Sequence, residues 1–297
     1  MFLASAIGSC RRKEETFKMW NKRKLLLAAI IFIALYDKVT ARENQLDMAP
    51  NAVDDIYKGC RQQALEKVIH SGLLKQELNQ SKGFQRAWSR NSQCSRQIPG
   101  GLKEHAAALL AYANGDAEFI QAFNDAVRTQ GGNVSTYENH FSFKSLHFLL
   151  TDSMTLLYPK KCKMMYVYTE LQSKPTKGSK VRFGHFLQAY SSYTELQKLE
   201  DWYGGVVFNI TSCFFVNLGD NICSDEDTAL LSPAEEFTVM DVKEVNDSDS
   251  EYTYIVLQHS KVNSTHNCYI FSRSPADGST QWSALALAAL SLFILNC

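Results

Sequence analysis

The sequence predicts an α+β fold, a helical first part followed by a mainly β second part with an antiparallel or mixed sheet. Three observations carry this. Apolar residues recur at helical spacing across residues 52–157. Short runs rich in β-branched and aromatic residues begin at Met164 and continue through the span 162–271. The two patterns follow one another instead of alternating, which argues against repeated βα units, and no internal repeat is visible.

In the helical part, Tyr57, Leu65, Val68 and Ile69 form one apolar stripe, Ala106, Leu109, Leu110 and Tyr112 a second, and Phe119, Ile120, Phe123 and Val127 a third. Pro99-Gly100-Gly101, Asn114-Gly115-Asp116 and Gly131-Gly132-Asn133 mark the breaks, because their residues favour turns over helix interiors. In the β part the expected strands are Met164–Tyr168, Val181–Leu187, Gly205–Phe215, Glu236–Val242 and Tyr252–Gln258.

The ends read as processed segments. Lys22-Arg23-Lys24 precedes the apolar run Leu25–Tyr36, and Val39-Thr40-Ala41 supplies a small residue for cleavage, so residues 1–41 are expected to be a signal peptide. That run is shorter than the roughly 20 residues a membrane span needs. Met19 just before the basic cluster is an alternative start. Ser279–Cys297 carries no charge, follows Ala276-Asp277-Gly278-Ser279-Thr280 and ends the chain, the pattern of a glycosylphosphatidylinositol (GPI) signal, expected over residues 273–297. A C-terminal core helix there would lack caps and a polar face. The ectodomain is then residues 42–272, on the extracellular face of the plasma membrane.

The whole chain, 297 residues with 31 basic and 31 acidic side chains, has no net charge. Beyond residue 41 the balance is 23 basic against 28 acidic, which argues against a nucleic-acid partner. Without Cys10 and Cys297, six cysteines remain, Cys60, Cys94, Cys162, Cys213, Cys223 and Cys268, and spacing leaves fifteen pairings open. No CxxC or HExxH occurs, so no metal site is expected. Sequons stand at Asn79, Asn133, Asn209, Asn246 and Asn263; Asn209 alone lies inside an apolar run.

Four strings then appear in order: Asp54-Asp55-Ile56-Tyr57-Lys58-Gly59-Cys60, Phe123-Asn124-Asp125-Ala126-Val127-Arg128, Phe143–Thr151 and Val181-Arg182-Phe183-Gly184-His185-Phe186. Together they resemble the vertebrate ecto-ADP-ribosyltransferases, which move ADP-ribose from NAD to protein arginines, over about Ala52 to Phe271. The resemblance implies a helical part leading into a two-sheet core with an NAD cleft. It further implies the disulfides Cys60–Cys268 and Cys162–Cys213, leaving Cys94 and Cys223 for each other in a bond the family pattern does not require.

The family chemistry needs a strand arginine to clamp the diphosphate, a serine to position the ribose, and a glutamate beside the oxocarbenium-like sugar. This chain departs at each. Val167-Tyr168-Thr169-Glu170 puts Thr169 at the arginine position, and Leu187-Gln188-Ala189-Tyr190 replaces the serine run, so that Ser191 or Ser192 comes near only by a shift of register. Glu226-Asp227-Thr228-Ala229-Leu230-Leu231-Ser232-Pro233 puts Thr228 at the glutamate position.

Two functions follow. One is an arginine-specific mono-ADP-ribosyltransferase or NAD glycohydrolase using Glu226 or Asp227. The other is a lipid-anchored ectoprotein that keeps the scaffold with weak or lost transfer, and the residue chemistry favours it. Arg182, Gly184, His185 and Ser191 are candidate cofactor contacts, with His185 equally open to a structural role. His147, amid Leu146 and Phe148–Leu150, reads as a buried hydrogen-bonded histidine.

Overall fold

A computed structural model describes residues 46–89, 97–159, 161–171, 173–199, 204–222, 227–246 and 251–271. The expected leader and anchor, Cys94, Cys223 and Glu226 lie outside these residues. The main body is Leu46–Thr169 with Pro175 onward, and Glu170–Lys174 is a short irregular stretch treated apart.

The helical part runs α1 (Arg61–Leu65), continuing as a π turn over Glu66–His70, then α2 (Leu73–Gln80), α3 (Lys82–Ser89), α4 (Lys103–Ala113), α5 (Ala117–Thr129), α6 (Val134–His140) and α7 (Lys144–Leu156). The three breaks fall between helices as the turn residues require. Asp116 caps α5 by accepting the Phe119 N–H at 2.9 Å. At α7 the buried Glu77 carboxyl group accepts the amides of Lys144 (2.9 Å) and Ser145 (2.8 Å), two of the free N–H groups at the start of the helix. Helix α7 is buried from Ser145 to Met154, with Leu146, Phe148–Leu150 and Met154 as its apolar part and the buried His147, Asp152 and Ser153 side chains hydrogen-bonded.

The β part comprises β1 (Lys163–Thr169), β2 (Lys180–Val181), β3 (Leu187–Tyr190), α8 (Tyr193–Leu199), β4 (Val206–Ser212), β5 (Phe215–Asn217), α9 (Leu218–Ile222), β6 (Thr228–Leu231), β7 (Glu235–Asn246), β8 (Glu251–Val262) and a 3₁₀ turn, Tyr269–Phe271. Strand order is β2-β7-β8-β4-β1-β3-β6-β5. Among the described residues only β4 and β8 pair in parallel. The eight strands form one sheet, whose β2–β1 and β3–β5 halves meet through the register pair Tyr166 with Tyr190.

The expected strand Val181–Leu187 is corrected. Only Lys180–Val181 pairs with β7, and residues 182–186 form a connection. Gly184 explains this: its φ is +68°, and a Cβ there would lie 2.4 Å from that of Ala49. Gly205–Phe215 divides into β4 and β5, while β6, α8 and α9 have no counterpart among the expected elements.

Phe186 joins the two parts. Its ring stacks on Phe123 (5.7 Å), and its carbonyl accepts the Tyr112 hydroxyl at 2.8 Å. Disulfides link Cys60 to Cys268 and Cys162 to Cys213, the second across the start of β1 and the end of β4. Among the described residues no helix is long and apolar enough to cross a membrane.

Candidate active site

Strands β1 and β6 carry Thr169 and Thr228, and β3 carries the run Leu187–Tyr190. Thr228 opens β6, is 2% exposed, and has Tyr190 as its Cα partner. Tyr190 in turn faces Tyr166 on β1, and Thr169 closes β1 three residues further on, ~10 Å along the strand at 3.3 Å per residue. Gln188 pairs with Leu230. The end of β3 opposite Thr228 is therefore a bulky phenol. Tyr190, with Tyr166, Tyr168 and Tyr193, packs against the cluster of Leu196, Val207 and Tyr252, and the Tyr166 and Tyr193 rings meet edge-on at 5.4 Å.

Asp227 turns toward the start of β1. One carboxylate oxygen accepts from Lys163 Nζ (2.9 Å) and from Ser191 Oγ (2.8 Å), and its carbonyl accepts the Ser191 amide at 3.0 Å. The Lys163 hydrogen bond holds the Asp227 carboxyl below its usual range. Ser191 follows β3, so it belongs to this surface link and lies outside the strand.

Arg182 is 2% exposed. Its Nη2 donates to Asp54 Oδ2 (2.8 Å) and to the Pro233 carbonyl (3.0 Å). Burial would raise the Asp54 carboxyl, but His266, Arg182 and Thr265 together hold it well below the usual range. The guanidinium of Arg182, a candidate cofactor contact, is buried and committed to Asp54 and the Pro233 carbonyl, the arrangement of a structural clasp.

His185 lies in the connection between β2 and β3, not on a strand. Its Nδ1–H donates to the Phe183 carbonyl at 2.7 Å, and Arg128 Nη2 faces Nε2 at 3.4 Å. Burial and the Arg128 charge push its pKa down to about 3, so the ring is neutral. Gly184 beside it serves the close approach to Ala49. His147 is the buried histidine its neighbours suggest: Nε2–H donates to the Val53 carbonyl (2.8 Å), Nδ1 accepts the Tyr57 hydroxyl (2.9 Å), and burial lowers its pKa to about 4.

Glu235, which the sequence did not single out, is fully buried. It accepts from Ser212 Oγ (2.6 Å), the Cys213 and Phe214 amides (2.8 and 3.1 Å) and His259 Nδ1 (2.7 Å), so it fixes the turn that carries Cys213. Nothing local in Ser232–Phe237 signals this, since its partners come from β4 and β8. At the positions compared above, the described side chains are hydroxyls, an amide and a phenol, and the cation of Lys163, which reaches the residue before Thr228, is held by Asp227.

A family model described as NAD:arginine ADP-ribosyltransferase matches residues 46–265. The GPI-linked NAD(P)(+)-arginine ADP-ribosyltransferase 1 of Mus musculus is 30% identical over 293 residues, covering 87% of this chain and 86% of that one. The erythroblast NAD(P)(+)-arginine ADP-ribosyltransferase of Gallus gallus is 28% identical, covering 76% of each. Among solved structures, the eukaryotic mono-ADP-ribosyltransferase ART2.2 superposes with a TM-score of 0.62 at 29% identity, over 76% of this chain and 99% of that one. A mutant of ART2.2 in complex with NAD gives 0.60 at 26% identity, with the same coverage. With the family model spanning most of the chain and the ART2.2 fold beneath it, this chain belongs to the NAD:arginine ADP-ribosyltransferase family.

Proposed function

We propose that this chain is a cell-surface, GPI-anchored member of the family in which transfer of ADP-ribose from NAD to protein arginines is weak or lost. The observation that carries the reading is Thr228: the residue matching the family glutamate is a buried threonine facing Tyr190. A hydroxyl supplies no charge to an oxocarbenium-like sugar, and removing one such preorganised group typically costs about 3 to 4 kcal/mol, or two to three decades of rate. Thr169 compounds this, because a threonine lacks the planar cation that grips a diphosphate.

NAD remains the ligand class, supported by the NAD complex of the ART2.2 mutant. The donor set at the matched positions does not fit its dianionic diphosphate, and no reaction step is assigned through it. The alternative, an active transferase or glycohydrolase using Glu226 or Asp227, draws on the proximity of Asp227 to Thr228. Against it, Asp227 is 71% exposed and already paired with Lys163.

The test is incubation of the purified ectodomain with an etheno-NAD analogue, which reports turnover without knowledge of the acceptor. A trace rate is expected. Robust turnover abolished by Glu226→Gln or Asp227→Asn would replace this reading with the alternative.

A further inference from the structure

Strand β4 alternates strictly near its end. Val206, Val207, Phe208, Ile210 and Ser212 are buried, and the half-exposed side chains of the strand are those of Asn209 and Thr211. Residues two apart in a strand share a face. The acceptor and the hydroxyl residue of the sequon Asn209-Ile210-Thr211 thus stand side by side on the open face of the sheet. Phe208 and Ile210, the apolar residues that flank and divide this sequon, face the other way.

Across this face Asn209 has Tyr166 of β1 and Val256 of β8 as Cα partners, and Thr211 has Met164 and Gln258. Met164 is 51% exposed, Gln258 is exposed, and Tyr166 and Val256 are half-exposed. All six side chains are uncharged. Helix α8 packs on one end of the face, where Tyr193 and Leu196 meet Tyr166, Tyr168 and Val207. Beyond that end lies a neutral strip of ring, thioether, amide and hydroxyl groups, the surface chemistry that suits the faces and hydroxyls of a sugar.

We infer that Asn209 carries an N-linked oligosaccharide whose first sugar lies across the Tyr166 ring, so that the glycan covers this strip. Transfer forms a bond from Nδ2 to C1 of the first N-acetylglucosamine and breaks the C1–O bond of a polyprenyl-pyrophosphate donor. The lipid pyrophosphate leaves, and one amide proton is released with it. The second amide hydrogen remains, which preserves the existing donation from Nδ2 to the Tyr254 hydroxyl at 2.9 Å. Attachment to a chain still entering the secretory lumen precedes sheet formation, so the central position of β4 is no obstacle. What the fold demands is an outward side chain.

The inference rests on the secretory route proposed above, and the remaining sequons separate the two. Asn79, Asn133 and Asn246 are exposed at a helix end, a helix cap and a hairpin end. The full chain is expressed in a eukaryotic secretory host, de-N-glycosylated in heavy-oxygen water, and mapped by mass spectrometry. Asn209 is expected as labelled aspartate, with Thr211→Ala removing one glycan step on a gel. An unlabelled Asn209 alongside labelled Asn79, Asn133 or Asn246 overturns the inference. Absence of label at every sequon overturns it together with the secretory route. Stacking has its own readout: Tyr166→Ala should retain the glycan yet speed its enzymatic removal from the folded protein severalfold, and an unchanged removal rate would overturn the placement on the ring.

Discussion

Arg182 and Asp54 form a fully buried ion pair, Nη2 to Oδ2 at 2.8 Å, between residues 128 positions apart. The same aspartate accepts the Thr265 amide (2.8 Å) and hydroxyl (2.7 Å) and the His266 amide (3.0 Å). One carboxylate thereby fastens the entry segment, the start of the β2–β3 connection and the loop before Cys268. Replacing Arg182 with methionine leaves that charge buried and unpaired. Such a loss is expected to cost about 3 to 5 kcal/mol in urea unfolding. A loss below about 1 kcal/mol, the range of an exposed pair, would mean that the pair contributes little.

The reaction centre gives the second expectation. If Thr169 and Thr228 stand at the clamp and glutamate positions, Thr169→Arg with Thr228→Glu raises NAD turnover above the wild-type trace, since each adds a group complementary to charge in NAD or its transition state. Each alone does little, because groups acting as a unit are strongly non-additive. The readout is etheno-NAD turnover of the four proteins. Equal rates for the double variant and wild type would reject the positional match.

Tyr190 leads to a third. Its Cα faces Thr228, so a glutamate introduced there meets a phenol where the family has a small hydroxyl residue. Adding Tyr190→Ser to the double variant is expected to raise kcat/KM further, chiefly through kcat, as a freed sugar reaches a productive pose. A fall in turnover with intact folding would show that the phenol supports the site.

Glu77 sets a pH dependence. Burial raises its pKa from 4.5 to about 7, against hydrogen bonds from Ser145 and Lys144 that favour the anion. The folded state therefore holds a proton that the unfolded chain releases between these values, and stability falls as pH rises from below 4.5 through 7. The full swing from this group is about 3 kcal/mol. Glu77→Gln should flatten the unfolding free energy between pH 5 and pH 8 relative to wild type. Parallel pH profiles for the two proteins would show that Glu77 does not titrate in that range.

Much of the architecture was legible because periodicity and turn residues agree: α4, α5 and their Gly-containing breaks follow from spacing alone. The β part was read less well where a tertiary contact overrides pattern. Val181–Leu187 looks like a strand, yet Gly184 bends it against Ala49, and Phe186 is drawn into the helical core by Phe123. Strand β6 was missed because its four residues follow an acidic segment that reads as a loop. At the site, Thr169 and Thr228 could be named from motif position. The Arg182–Asp54 pair gave no signal because its two members are remote in sequence, and Glu235 gave none for the same reason.

The bond between Cys60 and Cys268 brings their Cα atoms to 6.2 Å while spanning 208 positions of sequence. Its consequence is mechanical. A pull between the two ends of the domain runs from the segment before Cys60 directly through sulfur to the segment after Cys268. The enclosed helices and sheet bear none of that load. A pull applied at the two ends of the domain would extend first the short stretches outside this link, leaving the folded interior slack.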